Sequence, residues 1–407
     1  MPEKVFECGS CGRIRVWRMS NRVTMLRVED RCTRFFEGLW EIPEGITYNS
    51  YLVFGEEAIA LLDTVKAGFA DCYVEALKSV VDPADIGYIV VHHSEPDHSG
   101  ALPRILSEAR EATVYSHPIA RRFVEATYGV KLEKHVAVRD GATLDLGGAK
   151  LSFTTTPWLH WPDTVMSFLD GEGVLFSGDV FGAYGVPEDF TDKGLGFDEY
   201  VRLMRKYLAT VVGTYRNWIP KGLAKLEPIR SALRVIAPLH GLVVVENVDR
   251  ILSLYAGWGE GRLDERRAVV VYFSMYGSTA RAAEEAARLL EGMGFNVNMY
   301  GFTDTSRSAV ADVVGEVFDA RVLVFAAPTY EASVMPLAGY VAETLCKKAV
   351  TPRHRVLIVS PYGWGAAAAR ILANIFGKCR PEKLEVLEAA GRIEAGELKA
   401  KLEELLR

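Results

Sequence analysis

The chain has 407 residues, 49% of them hydrophobic and 25% charged, with a formal net charge of −6. That length suits two or three domains, each able to bury its own core. No apolar run can cross a bilayer, residues 1–20 lack a signal-peptide pattern, and no basic cluster offers a surface for nucleic acid, so a soluble, cytoplasmic, globular protein is expected.

Residues 1–24 form an N-terminal extension carrying Cys8-Gly-Ser-Cys11-Gly. The pattern is one knuckle of a thiolate metal site, in which glycines let backbone amides turn toward the sulfurs. One knuckle is half a site, so Cys32 and a partner chain would have to complete it; the alternative is a disordered tail. Cys72, Cys346 and Cys379 are scattered through probable helices or loops and are expected as reduced, buried thiols.

Short β-branched segments then alternate with turns at 51–54, 58–63, 86–91, 113–116, 151–155, 165–169 and 173–177. The connection between 151–155 and 165–169 is too short for a crossover helix and implies antiparallel pairing. An αββα sandwich over residues 25–260 fits this pattern.

Behind the buried strand 86–91 stand His93, Glu95, Asp97 and His98, four potential metal ligands in six residues, and then Ser99-Gly100 opens a helix. The spacing is that of a two-metal site on a strand-to-helix loop. His92 neighbours His93 on the strand end and points the opposite way. Three isolated ligand types follow, each past a strand: His160, Asp179 and His240. One edge of a sandwich can gather such residues. His117, His135 and His354 have no ligand neighbours and are read as structural or exposed. The set His93, Glu95, Asp97, His160, Asp179 and His240 offers imidazoles and carboxylates in equal number, and its oxygen donors suit iron better than zinc. Two ferrous ions would be neutralised by the three carboxylates and one hydroxide.

A glycine- and charge-rich stretch at 257–267 is the best linker. Beyond it, apolar strands at 268–273, 321–326 and 355–360 are separated by helical stretches, the mark of a doubly wound parallel sheet over residues 268–407. Ser274, Met275, Tyr276, Gly277, Ser278 and Thr279 lie between the first of these strands and a helix at 280–290. Their hydroxyls and backbone amides form a phosphate cradle that needs no lysine or arginine. Pro328, Thr329, Tyr330 and Glu331 follow the second strand, and Ser360, Pro361, Tyr362, Gly363, Trp364 and Gly365 follow the third. Tyr330, Tyr362 and Trp364 can cover a flat ring. One terminal phosphate without a dinucleotide fingerprint implies FMN.

The ligand order is similar to that of the metallo-β-lactamase fold, with Glu95 where zinc hydrolases of that fold usually carry a histidine, and the loop 274–279 resembles the flavodoxin phosphate loop. From about residue 28 to its end the chain resembles the flavodiiron proteins, or A-type flavoproteins: a metallo-β-lactamase-like domain followed by a flavodoxin-like one. The resemblance implies a diiron site bridged by Asp179 and a hydroxide or oxide, with His98 either ligating or turned away. It also implies a head-to-tail homodimer, or a dimer of dimers, that brings the FMN of one subunit to the irons of the other. The expected reaction is reduction of dioxygen to water, of nitric oxide to nitrous oxide, or of both. Electrons would come from a rubredoxin-like protein or a reduced deazaflavin. Glu331, Pro361 and the pair Tyr207-Leu208 depart from the family's usual residues. The alternatives are a zinc hydrolase fused to a flavodoxin-like domain and a non-catalytic electron carrier or gas sensor.

Overall fold

A computed structural model describes residues 3–407 and resolves two compact units. Of the described residues, the first comprises 3–38, 42–208 and 217–256, and the second 39–41, 209–216 and 257–407.

Among the described residues, the first unit holds an eight-stranded and a five-stranded sheet. In the larger sheet Lys4–Glu7, Gly12–Arg18, Val23–Asp30, Ile46–Phe54 and Ile59–Leu62 run antiparallel in that order. Ile86–Val91, Thr113–Ser116 and His135–Ala137 then add on in parallel. In the smaller sheet Lys150–Thr155 and Val165–Leu169 pair antiparallel, as expected, while Val174–Phe176 and Val235–Ala237 are parallel neighbours. Alternate residues of both sheets meet in one core: Met25, Tyr51, Val53, Leu62 and Val90 from the first, and Leu151, Phe153, Val165 and Phe176 from the second. Period-2 placement of apolar residues is what allows two sheets to bury one face each. The helix Ala70–Lys78 lies against the first three strands of the larger sheet.

The N-terminus corrects two sequence expectations. Residues 4–18 are strands of the larger sheet rather than a separate tail, and the Cys8-to-Cys11 turn joins them. Each cysteine of that turn bonds to a distant one: Cys8 to Cys72, with a Cα separation of 5.7 Å, and Cys11 to Cys32, with 5.2 Å. Cys346 bonds to Cys379 at 5.4 Å, so all six cysteines are in disulfides instead of a metal knuckle and reduced thiols. These separations are ones a disulfide spans without moving the backbone.

The second unit is built on a five-stranded, wholly parallel sheet in the order Asn296–Thr303, Asp264–Ser274, Ala320–Ala326, Arg355–Tyr362, Lys383–Ala390. The two edge strands were not legible as strands because each buries little: all but one residue of each is exposed or half-buried, where the central three carry continuous apolar runs. Ala283, Ala286 and Leu290 of helix Ser278–Gly292 pack with Leu398, Leu402 and Leu405 of helix Ala395–Leu406 over Val270, Val322 and Leu357. The expected linker is largely ordered. Helix Val248–Gly259 runs into it with Trp258 buried, and the strand from Asp264 leaves only 260–263 irregular.

No described helix is long and apolar enough to cross a membrane. The Cys346–Cys379 bridge closes a span of 33 residues, and loop-closure entropy assigns such a bridge about 3–4 kcal/mol. The double substitution Cys346→Ser with Cys379→Ser is expected to lower the stability of the second unit by that order, read as a fall in its denaturant midpoint with the slope unchanged.

Candidate metal centre and flavin loops

The ligand loops lie at one edge of the sandwich for a topological reason. Val174–Phe176 and Val235–Ala237 run in parallel, and Lys150–Thr155 runs in the same sense two strands away, so Asp179, His240 and His160 leave their strands on one side. Ile86–Val91 delivers its loop to the same place: His92 O accepts the amide of Val165 in the facing sheet. Pro96 then starts a four-residue helix, Pro96–Ser99, that carries Asp97 and His98.

Two half-sites result. In one, His160 Nε2 is 2.8 Å from Glu95 Oε2 and 3.0 Å from Asp179 Oδ2, and His93 Nε2 is 3.5 and 3.3 Å from the same two atoms. In the other, His98 Nε2 is 3.1 Å from Asp179 Oδ1 and 3.3 Å from Asp97 Oδ2, and His240 Nε2 is 3.4 Å from Asp97 Oδ2. Asp179 therefore turns one carboxylate oxygen to each half. All six residues expected from the sequence come together, and the structure adds His98, whose place the sequence left open. Its Nε2 lies 2.9 Å from His240 Nε2.

Nothing among the described residues satisfies these atoms fully. Both nitrogens of His93, Glu95 Oε2, both oxygens of Asp97, His98 Nδ1 and Asp179 Oδ1 are buried without a hydrogen-bond partner. Orphaned polar atoms at this density are a large desolvation cost unless cations meet them. Burial pushes the Asp179 carboxyl up, but His93, His98 and His240 more than offset that and hold it well below its ordinary range. Burial opposes charge on His160, yet Glu95 and Asp179 prevail and raise it to about 10. Imidazolium protons and metal ions compete for the same lone pairs. The donor chemistry, mixed imidazole and carboxylate in two groups sharing one carboxylate, fits a pair of metal ions.

The surroundings fix the ligands. His240 Nδ1 donates to Thr47 O at 2.7 Å, which leaves its Nε2 lone pair facing the cluster. Thr64 Oγ1 donates to His98 O at 2.7 Å, and Asp163 accepts the Ser94 amide at 2.9 Å. His92 points away as expected. Its Nδ1 meets the Asp63 carboxylate and its Nε2 meets Ser167 Oγ at 2.8 Å, so it braces the loop from beneath. Rings of Tyr48 and Tyr207 stand 5.7 and 5.2 Å from that of His240 and wall the site. The other histidines serve structure: His117 caps the helix Pro118–Tyr128, His135 bonds Ser116, and His354 bonds Val317 O and Thr351.

In the second unit, three loops meet around a cavity of about 350 Å³. Ser274, Met275, Tyr276, Ser278 and Thr279 line it from the first loop; Pro328 and Thr329 from the second; Pro361, Tyr362, Gly363 and Trp364 from the third. Gly277, at φ +86°, makes the turn that presents the helix N-terminus, and Ser274 Oγ accepts the Gly277 amide at 3.1 Å. Tyr330, Glu331, Ser360 and Gly365 do not line the cavity. Ser360 is buried within the strand Arg355–Tyr362, and Glu331 sits at the tip of a hairpin between Thr329–Tyr330 and Ser333–Val334. Gly391, which sequence reading missed, lines the cavity and accepts the Ser278 hydroxyl at 2.9 Å. Its signal was a glycine after the fifth strand, and that strand was itself unread.

Residues 46–241 match the family model described as ODP family beta lactamase. The chain is 31% identical, over 88% of each sequence, to a nitric oxide reductase of Moorella thermoacetica, and 30% identical, over 84% of each, to the rubredoxin-oxygen oxidoreductase of Megalodesulfovibrio gigas. A variant of the flavo di-iron protein of Thermotoga maritima superposes with a TM-score of 0.90 at 33% identity, covering 97% of this chain and 98% of that one. This chain is a flavodiiron protein. Its units are the metallo-β-lactamase-like and flavodoxin-like parts of that family, and it is an oxidoreductase.

In this flavodiiron protein Asp179 turns a different carboxylate oxygen to each half-site. Asp179→Ala is expected to strip metal from both positions, whereas His240→Ala depletes one; elemental analysis of protein purified in parallel distinguishes the two. His92→Phe, which touches no ligand directly, is expected to weaken metal retention by roughly 10- to 100-fold, measured as the rate of loss to a chelator.

Proposed function

We propose that this protein reduces dioxygen to water, nitric oxide to nitrous oxide, or both, taking electrons from an external donor through FMN to a non-haem diiron site. The observation that carries the reading is the two-part cluster in which Asp179 faces each half with a different oxygen. His93, Glu95 and His160 would hold one iron and Asp97, His98 and His240 the other, with Asp179 offering one oxygen to each. Glu95 supports iron over zinc, since a carboxylate here adds a hard oxygen donor to the site. When bound, the iron pair and the reduced flavin each supply two electrons, which together meet the four that dioxygen requires.

The chain's own residues perform the positioning. Thr47, Thr64, Asp63 and Asp163 hold imidazoles and loop in register, and the buried rings of Phe36, Tyr48, Tyr184 and Tyr207 keep bulk water from the His240 side. Ser274, Ser278 and Thr279, with the backbone amides at the start of the helix behind Gly277, would hold the FMN phosphate; Tyr276, Tyr362 and Trp364 would flank the ring, with Tyr330 and Glu331 on the neighbouring hairpin.

The diiron domain expected at 25–260 also takes in the strands Lys4–Glu7 and Gly12–Arg18 of its larger sheet, and the FMN domain is taken to span 268–407. Tyr276 and Trp364 are 92% and 85% exposed, which supports their being covered in a head-to-tail homodimer or a dimer of dimers. A rubredoxin-like protein or a reduced deazaflavin is the proposed donor. A cytoplasmic location follows from such donors and requires a cytoplasm that tolerates disulfides, as in hyperthermophiles.

Anaerobic reduction of the purified protein followed by mixing with each gas tests the function. Expected are two irons and one FMN per chain, and flavin reoxidation in step with gas consumption. Zinc without iron, or a reduced flavin that consumes neither gas, would sink the proposal.

A further inference from the structure

The disulfides differ in access. Cys11 and Cys32 are both exposed, whereas Cys8, Cys72, Cys346 and Cys379 are each partly buried. Cys11 borders a depression of about 260 Å³ lined also by Ser10, Arg13, Glu29, Arg31 and Glu188. Arg13 pairs with Glu29 at 2.6 Å and Arg31 with Glu188 at 3.3 Å, so the depression that Cys11 borders is lined by paired cations and carboxylates. A thiolate attacks a disulfide where it can reach the sulfur, and a neighbouring cation stabilises the thiolate that leaves.

The same bridge abuts a turn that leads toward the metal cluster. The amides of Cys32 and Thr33 both donate to Asp30 Oδ1 at 2.9 Å, and Thr33 Oγ1 donates to Asp30 Oδ2 at 2.6 Å. The Tyr48 hydroxyl donates to that second oxygen at 3.4 Å, and the Tyr48 ring stands edge-on to His98 and His240, at 6.2 and 5.7 Å. Across the ladder the Arg31 amide donates to Cys11 O at 3.3 Å, so the bridge clamps the open end of the hairpin formed by Gly12–Arg18 and Val23–Asp30.

We propose that Cys11–Cys32 is a thiol–disulfide exchange site for an external dithiol, and that opening it releases the Asp30 turn holding Tyr48 against His98 and His240. One thiolate of the dithiol attacks either sulfur, the Cys11–Cys32 bond breaks, and the second thiol resolves the mixed disulfide. Two electrons and two protons pass to the pair, and the dithiol leaves as a disulfide. The oxidised state clamps the turn and the reduced state frees it. Neither the exchange site nor its order of opening depends on which gas the enzyme reduces.

The test uses the holoenzyme under anaerobic conditions, incubated with dithiothreitol in one arm and with a recycled thioredoxin in the other, then alkylated and mapped by mass spectrometry. Cys11 and Cys32 should label at least about tenfold faster than the other four cysteines. Hydrogen exchange at residues 30–34 should rise with the labelling, and release of iron to a chelator should accelerate. Labelling with dithiothreitol alone assigns the site to small dithiols, and labelling in both arms extends it to dithiol proteins. Cys11→Ser with Cys32→Ser should reproduce the exchange pattern without reductant; if that variant does not fold, the reduction arms on the unaltered protein decide alone. Simultaneous opening of all three bridges overturns the proposal, as does alkylation of Cys11 and Cys32 without any reductant, the behaviour of free or zinc-bound thiols. Opening with no change at residues 30–34 overturns it too.

Discussion

Packing four imidazoles and three carboxylates into one buried cluster is the constraint on which the first unit depends. Each carboxylate loses its hydration there, and each imidazole presents a lone pair or proton to neighbours that cannot all be satisfied at once. The cluster is tolerable only if positive charge sits between the donors. Asp179 feels this most, since three histidines hold its carboxyl ionised against a burial that would neutralise it. Residues held at such cost mark a site and not a core.

The sandwich holds the cluster by bracing it from outside. His92, Asp63 and Ser167 form a chain of buried hydrogen bonds directly under the ligand loop, and Thr47 sets the tautomer of His240 from the larger sheet. The facing sheet contributes Asp179, His160 and His240 from the ends of strands that run in one sense. Rigid strands on both sides thus fix loops whose own backbones have little regular structure. The flavin loops follow the same logic in a parallel sheet, where the carboxyl ends of adjacent strands open a crevice and a helix N-terminus supplies amides for an anion.

Much of this was legible in the residues because chemistry concentrates them. Four potential ligands in six positions behind a buried strand have few structural explanations, and Glu95 among histidines already set the donor set apart from an all-imidazole one. Other parts were not legible, each for a physical reason. The edge strands 296–303 and 383–390 bury too little to show an apolar run, and with the second of them went Gly391. Residues 4–18 read as a tail because a cysteine turn resembles a metal knuckle, and local spacing cannot tell a thiolate awaiting a metal from one awaiting a distant thiol.

The sequence by itself determined the ligand types, their order, the two kinds of sheet and the flavin loop, because those depend on residue chemistry and on periodicities within a dozen positions. Tertiary structure alone decided that His98 turns inward, that His92 finds Asp63 and Ser167 as its partners, and that Cys8 and Cys11 part company to meet Cys72 and Cys32. Side-chain direction at a strand end, and which sulfur meets which, are set by contacts between segments tens of residues apart. The first loop carried the spacing of a two-metal site; only the closing of two sheets around it brought the distant ligands together and turned one Asp179 oxygen to each half.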